Sequence, residues 1–384
     1  MKTDILTYTS TLINKKASAN LRELNIYDFA FLLNVLEKQL AIAEGGSIAI
    51  ASKSFRSSRF SLIKQLADNK ALHILSYEPE SAWASDIALY NRYGIRISYA
   101  EHFPEENLKQ IIRSQKIDVV YIASIHSKTL AVENHSAIIT DAHSLNIPVI
   151  YDNTAGALGS TYQPLAHHAD YVLVNTTGTA FETNGIGGYI AEALPKSVNI
   201  NANSEFITES VVYTLKQKRS LAQKQQFLLT GDEDILASKV NQEIRKQQAY
   251  AKTTFTLAKL LNQVGEVAEV NYPGLKTSTS FINAESNLRS GYGKVLKFKV
   301  WDAGFSHNLL RSFFIAGKPA GLKITTDNEL KEFEVTIHTD AFNEIAAYFN
   351  KVFSQLSREL EFRESFKRQL KLEAAVKELL KVNI

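Results

Sequence analysis

The side chains best placed to do chemistry gather in the middle of the chain. Residues 148–152 (PVIYD) and 171–176 (YVLVNT) are apolar runs of strand length, and each leads into a polar turn, Asp152-Asn153-Thr154 and residues 176–184. A carboxylate at a strand end can orient a bound group, and it can equally cap a turn; for Asp152 the residue type leaves both readings open. His126, near another strand end, is a general-base candidate or a plain turn residue. Glu182 and Asn184 either join such a site or solvate their loop. At the start of a helix, Arg56, Ser57, Ser58 and Arg59 could bind an anion by charge-assisted bonds, against the simpler reading of a basic helix end. His167-His168 lacks acidic or further histidine companions at ligand spacing, so no metal site is expected. The absence of cysteine excludes disulfides and thiolate catalysis.

The elements that must position these residues alternate regularly. Strand-like runs at 47–52, 71–77, 94–99, 118–124, 148–152 and 171–176 are separated by helical patterns at 57–69, 83–93, 105–115 and 134–145. Strands apolar on both faces, alternating with helices, predict an α/β fold with a mainly parallel sheet. In such sheets ligands gather at the carboxyl ends of the strands, where residues 52–59, 126–128, 152–154 and 176–184 all fall. Before the first strand, residues 1–25 read as an arm, and a helix from Ile26 closes at Gly45-Gly46. Past Ile190 the strand rhythm stops. Residues 204–264 read as helical with a break near Gly231, followed by a turn at Tyr272-Pro273-Gly274-Leu275. Residues 294–304 and 333–337 read as strands around a helical LLRSFFIAG, and 341–382 as an amphipathic region. This predicts an arm and helix over 1–46, a large domain over 47–264 and a smaller α+β C-terminal domain over 265–384.

Bulk properties exclude several classes. The 384 residues are 45% apolar and 22% charged, as in ordinary globular proteins, and the net charge of +3 gives no support to nucleic-acid or membrane binding. The start MKTDILTYTS lacks the apolar core of a signal peptide and no run is long and apolar enough to span a bilayer, so a soluble, cytoplasmic protein is expected.

A collinear set of motifs resembles the Cys/Met-metabolism family of pyridoxal-phosphate (PLP) enzymes, which includes the cystathionine synthases and O-acetylhomoserine sulfhydrylases. Leu36-Glu37, Leu40-Ala41 and Glu44-Gly45-Gly46 look like its LE-LA-LEGG helix end, and Tyr151 to Thr154 like its VDNT turn. Gly187-Gly188 looks like the GG after its lysine loop, Tyr272 to Leu275 like its YPGL, and Gly291-Tyr292-Gly293 with Phe298 like its GxG…F strand. The resemblance implies a fold-type-I transferase-like architecture and a dimer or larger oligomer. It also implies that Asp152 occupies the position of the carboxylate that pairs with the PLP ring nitrogen.

Other positions depart from that pattern. Asn175-Thr176-Thr177-Gly178 stands where the family has SxTK, so Gly178 takes the place of the Schiff-base lysine, and no lysine lies between Lys128 and Lys196. Ser54-Phe55-Arg56 replaces the phosphate loop SGM, Pro79 replaces the stacking Tyr with Trp83 one turn on, Ser127 replaces an Asn, and Glu334 aligns with the substrate-carboxylate Arg. The YSR segment that reaches the partner subunit has no counterpart in Asn25-Ile26-Tyr27. Together these predict a non-catalytic relative, retained as a structural or regulatory subunit in a homodimer or in a heteromer with an active paralogue. No cofactor is expected, and any PLP would not be held as a Schiff base at the family position. Asp152, Thr177, Arg56, Ser57 and Ser127 mark a remnant cleft. Two alternatives are carried: an enzyme of Cys/Met metabolism working without the usual lysine on C–S bonds, and a sensor of a small anionic metabolite near Arg56.

Overall fold

The computed structural model describes residues 26–100, 107–182, 185–193, 210–219, 233–302, 304–314 and 317–382. The expected arm over 1–25, the break near Gly231 and Asn184 lie outside these residues. The chain divides into two compact units, Met1–Gln248 with Thr279–Gly293, and Ala249–Ser278 with Lys294–Ile384. The sequence boundary at 265 falls after the long helix Glu233–Leu261, whereas the units divide within it.

The first unit holds a seven-stranded sheet. Its strands are β1 (Ile48–Ser52), β2 (Leu72–Ser76), β3 (Ile95–Tyr99), β4 (Val119–Ala123), β5 (Val149–Asp152), β6 (Tyr171–Asn175) and β7 (Gly188–Glu192). They run in the spatial order β3-β2-β4-β5-β6-β7-β1. Pairings from β3 through β6 are parallel, and β7 is antiparallel to both β6 and β1. Helices α1 (Ile26–Ala43), α2 (Phe55–Ala67), α3 (Ile87–Arg92), α4 (Leu108–Gln115), α5 (His135–His143) and α6 (Val211–Lys218) accompany the sheet, followed by α7 (Glu233–Leu261) and α8 (Phe281–Asn287). This is the expected α/β class. Every residue of β4 is buried, as a strand covered on both faces requires. Leu62 and Ile63 of α2, with Ile74, Trp83, Tyr90, Tyr121, Ile150 and Leu173, form one buried cluster.

Local chemistry sets the helix ends near the strand tips. The Ser54 side chain accepts from the Ser57 N–H and opens α2, and Asn134 accepts from the Ala137 N–H and opens α5. Residues 83–93, expected as one helix, are helical only over the short α3, with a separate 3₁₀ turn just before them at Glu80–Ala82. Asp86 sits at the junction, and its carboxylate is drawn away to Arg59 and Arg56. The Gly187-Gly188 pair lets the backbone of residues 53–55 lie directly on the start of β7. A Cβ on Gly187 would stand 2.3 Å from the Lys53 carbonyl oxygen, and one on Gly188 2.7 Å from the Phe55 Cα.

The second unit carries a four-stranded antiparallel sheet in the order β10-β11-β9-β8. The strands are β8 (Val267–Asn271), β9 (Val295–Val300), β10 (Leu322–Asp327) and β11 (Glu332–Ile337), with α9 (Phe305–Phe313) and α10 (Phe342–Val382). Phe298, Phe314, Phe333, Phe349 and Phe353 form its aromatic core. Sequence periodicity anticipated β9, β11, α9 and α10, but not β7, β8, β10 or α8. Glu334, aligned with a family arginine, pairs with Lys297 at 3.4 Å on the neighbouring strand.

Candidate functional site

Asp152 ends β5, half-buried, beside the tips of β4 and β6. Both of its oxygens are engaged: the Tyr121 hydroxyl donates to Oδ2 at 2.7 Å and the Thr154 N–H donates to Oδ1 at 3.0 Å. Tyr121 is fully buried, and burial followed by the Asp152 charge pushes its hydroxyl well above the ordinary range. It stays a neutral donor and fixes the carboxylate's direction.

Next to Tyr121 lies a built cationic wall. Trp83 packs edge-on against Tyr121 at 4.8 Å between ring centroids, and its indole N–H donates to the Ser76 hydroxyl at 3.0 Å. The Arg59 guanidinium lies 4.2 Å from the centroid of the Trp83 ring and bonds Asp86 at 2.7 Å and the Ala82 carbonyl at 3.1 Å. Burial works to lower the Arg59 pKa, but Tyr121, Tyr90, Asp86 and Asp152 more than offset it, and the group stays a cation. Burial likewise works to raise the Asp86 carboxyl, yet its bonds to Arg59 and Ser85 and the nearby guanidinium charges hold it below its ordinary value. Arg56 is exposed and also turns to Asp86, at 2.5 Å, and to the Ser85 carbonyl. Ser57 is exposed and shares a hydroxyl contact with its own cap, Ser54.

The turn after β6 is closed on itself. Thr177 is exposed, its N–H and hydroxyl both on the Asn175 side-chain oxygen. Gly178 follows with φ +76°, a left-handed conformation suited to glycine, and its N–H donates to Glu182 at 2.8 Å. Phe181, immediately beyond, is fully buried. Ser127 is exposed, and its N–H donates to the buried Glu78 carboxylate at 2.9 Å. Burial, then the charge of Asp152, pushes Glu78 up to about 7, against the opposing Ser127 bonds and Arg59. His126 is buried rather than open: its ring packs tilted against Tyr77 at 4.7 Å between centroids and its Nδ1 accepts from the Thr129 N–H. Asp152 and Arg59 are thus close enough to act on one another electrically, whereas Arg56, Ser57, Thr177 and Ser127 each serve local contacts. Among the described residues no group of three or more His, Cys, Asp or Glu could hold a metal ion.

The residue that supports this region most was singled out in the sequence only as part of a motif. Glu44, fully buried at the end of α1, receives the Tyr189 hydroxyl at 2.6 Å, the Asn153 amide at 2.7 Å and the Gly159 N–H at 3.0 Å. It ties the helix end to the turn after Asp152 and to β7. Burial outweighs these donors and raises its carboxyl to about 7. An ionisable residue inside an apolar helix pattern was the available signal.

Comparison with known proteins places this geometry. The chain is 28% identical over 302 residues to the homocysteine/cysteine synthase of Saccharomyces cerevisiae, covering 70% of this chain and 65% of that protein. It is 28% identical over 294 residues to the homocysteine synthase of Schizosaccharomyces pombe, covering 69% and 66%. The chain therefore matches about two thirds of the length of these curated relatives. Among solved structures, the O-acetylhomoserine sulfhydrylase of Wolinella succinogenes superposes with a TM-score of 0.67 at 14% identity, over 84% of this chain and 96% of that one. A Campylobacter jejuni structure described as a putative O-acetylhomoserine (thiol)-lyase, with a lysine carrying pyridoxyl phosphate, gives 0.64 at 18%, over 84% and 85%. These likenesses establish the fold-type-I architecture. Residues 5–217, more than half of the chain, match the family model described as Cys/Met metabolism PLP-dependent enzyme, and the protein belongs to that family.

Proposed function

We propose that this member of the family is non-catalytic and serves as a structural or regulatory subunit. The observation that carries the reading is the chemistry facing Asp152. The residue aligned with the family lysine is Gly178 in a left-handed turn, and the buried cation of this region is the guanidinium of Arg59, held on Asp86. A guanidinium stays protonated and does not condense with an aldehyde, whereas a lysine amine does. The residues present therefore do not fit a lysine-bound PLP, and no reaction step is routed through one.

The same proposal extends to partners and setting. A scaffold kept without its amine is suited to assembly, as a homodimer or as a heteromer with an intact relative, in the cytoplasm. No described helix is long and apolar enough to cross a membrane. The O-acetylhomoserine sulfhydrylases it resembles supply the substrates for the test, O-acetylhomoserine and sulfide, with PLP added as cofactor. The purified chain is expected to yield no homocysteine above a protein-free control. Turnover that disappears in Asp152→Ala would overturn the proposal. Co-expression with an intact relative is expected to yield a mixed oligomer, and two separately eluting homo-oligomers would argue against the heteromer.

A further inference from the structure

A cavity of about 410 Å³ opens between α2 and α6 over the β1–β7 edge of the sheet. It takes in none of Asp152, Thr177 or Gly178, and of the candidate cleft residues it shares only Ser57. Its lining is divided by chemistry. Ile50 and Ile190, direct partners across the β1–β7 ladder, make an apolar floor together with Leu215 of α6. The opposite wall is cationic and hydroxylic: Lys53, Ser57, Ser58 and Ser61 at the amino end of α2, and Lys218 and Arg219 at the end of α6. Among the described residues no carboxylate lines it.

Two features mark this wall as more than a solvated helix end. Arg219 has a side chain only 6% exposed, and its terminal nitrogens clamp the buried Glu37 carboxylate at 2.5 and 2.9 Å. Its Nε is also buried and without a hydrogen-bond partner, an unsatisfied donor behind the cavity wall rather than open to it. Lys216 also reaches Glu37, at 2.6 Å, so this buried acid is neutralised by two cations and the three charges together leave a positive surplus. The 13-residue α2 adds the partial positive charge of its amino end, and hydroxyls one turn apart, Ser57 and Ser61, face the same space.

We infer that this cavity binds a small organic anion, a carboxylate or phosphate monoester with a short apolar body. The anionic group sits against Lys53, Ser61 and Lys218, and the apolar body lies on Ile50, Ile190 and Leu215. Arg56, the sequence-level candidate for anion binding, is not part of it, because its guanidinium belongs to Asp86.

Titration calorimetry with inorganic phosphate and with butyl phosphate, at matched ionic strength, tests the assignment on the full chain. Wild-type protein is expected to bind butyl phosphate about tenfold more tightly than phosphate, the effect of burying about two methylenes. The double variant K53E/K218E, both exposed lysines, should lose binding of both ligands by tenfold or more. K70E/R92E carries the same change in net charge away from the cavity and should bind as wild type. Absence of binding, no preference for butyl phosphate, or equal loss in the two double variants would each overturn the inference. Circular dichroism confirms that the variants fold, and Ser61→Asp supplies an independent reversal if K53E/K218E does not.

Discussion

Replacing Glu44 by glutamine should cost stability in mild acid and cost little or nothing at alkaline pH. The wild-type carboxyl is fully buried and raised from 4.5 to about 7, with burial as the largest cause. Because the folded state holds this proton more tightly than the unfolded chain, the stability it contributes is complete below about pH 4.5 and lost as pH rises through about 7. The full span corresponds to about 3 kcal/mol, and the part between about pH 5 and about pH 8 to roughly 2–3 kcal/mol. Glutamine does not titrate, so the variant lacks this loss. It pays instead a constant penalty: its amide nitrogen meets the Asn153 amide, donor against donor, at a mismatch of about 1–3 kcal/mol. The Tyr189 and Gly159 donors keep the remaining oxygen. Urea unfolding of both proteins across that range measures the difference between them, which cancels other titrating groups such as Glu78. Wild type should lead in acid, and the gap should close by about 2–3 kcal/mol or reverse above about pH 8. A gap independent of pH would refute the claim that Glu44 is a buried, proton-holding hub.

Further outcomes follow from neighbouring contacts. Gly187→Ala should destabilise the first unit by about 1–3 kcal/mol in denaturant unfolding, because the new methyl meets backbone atoms of residues 53 and 54 that cannot turn away. Asp86→Ala should cost about 3–5 kcal/mol, since it strands the Arg59 guanidinium against Trp83, and Trp83 fluorescence should shift as the stack loosens. Tyr121→Phe removes a hydrogen bond to a carboxylate and should cost about 1.5–3 kcal/mol while the fold persists.

How much was legible in the sequence depended on whether the signal was local. The strands that carry Asp152 and Asn175 announced themselves as apolar runs of strand length, and the sheet class followed from their alternation with helices. β7 was hidden because it begins at Gly188 within a glycine pair that reads as loop, although all five of its residues are buried. β10 has a polar outward face, so LKITTD resembles a surface stretch. The resemblance implies that Gly178 stands at the lysine position. The motifs could not show that Arg59 is held on Trp83 and Asp86, contacts of 24 and 27 positions in sequence. Nor could they show that Glu44 meets Asn153 and Tyr189, which lie 109 and 145 positions away. Networks of this kind arise only when the sheet order brings strand tips together.

The proposal that the chain is non-catalytic stands on the missing amine, and one measurement reaches it directly. The purified protein is incubated with PLP, its absorbance is recorded, and the mixture is reduced with borohydride and digested for mass spectrometry. On this proposal a non-catalytic chain gives no saturable aldimine band, and pyridoxyl groups only as sparse adducts scattered over surface lysines. A band that saturates at one PLP per chain, with the adduct on a single lysine, would contradict it.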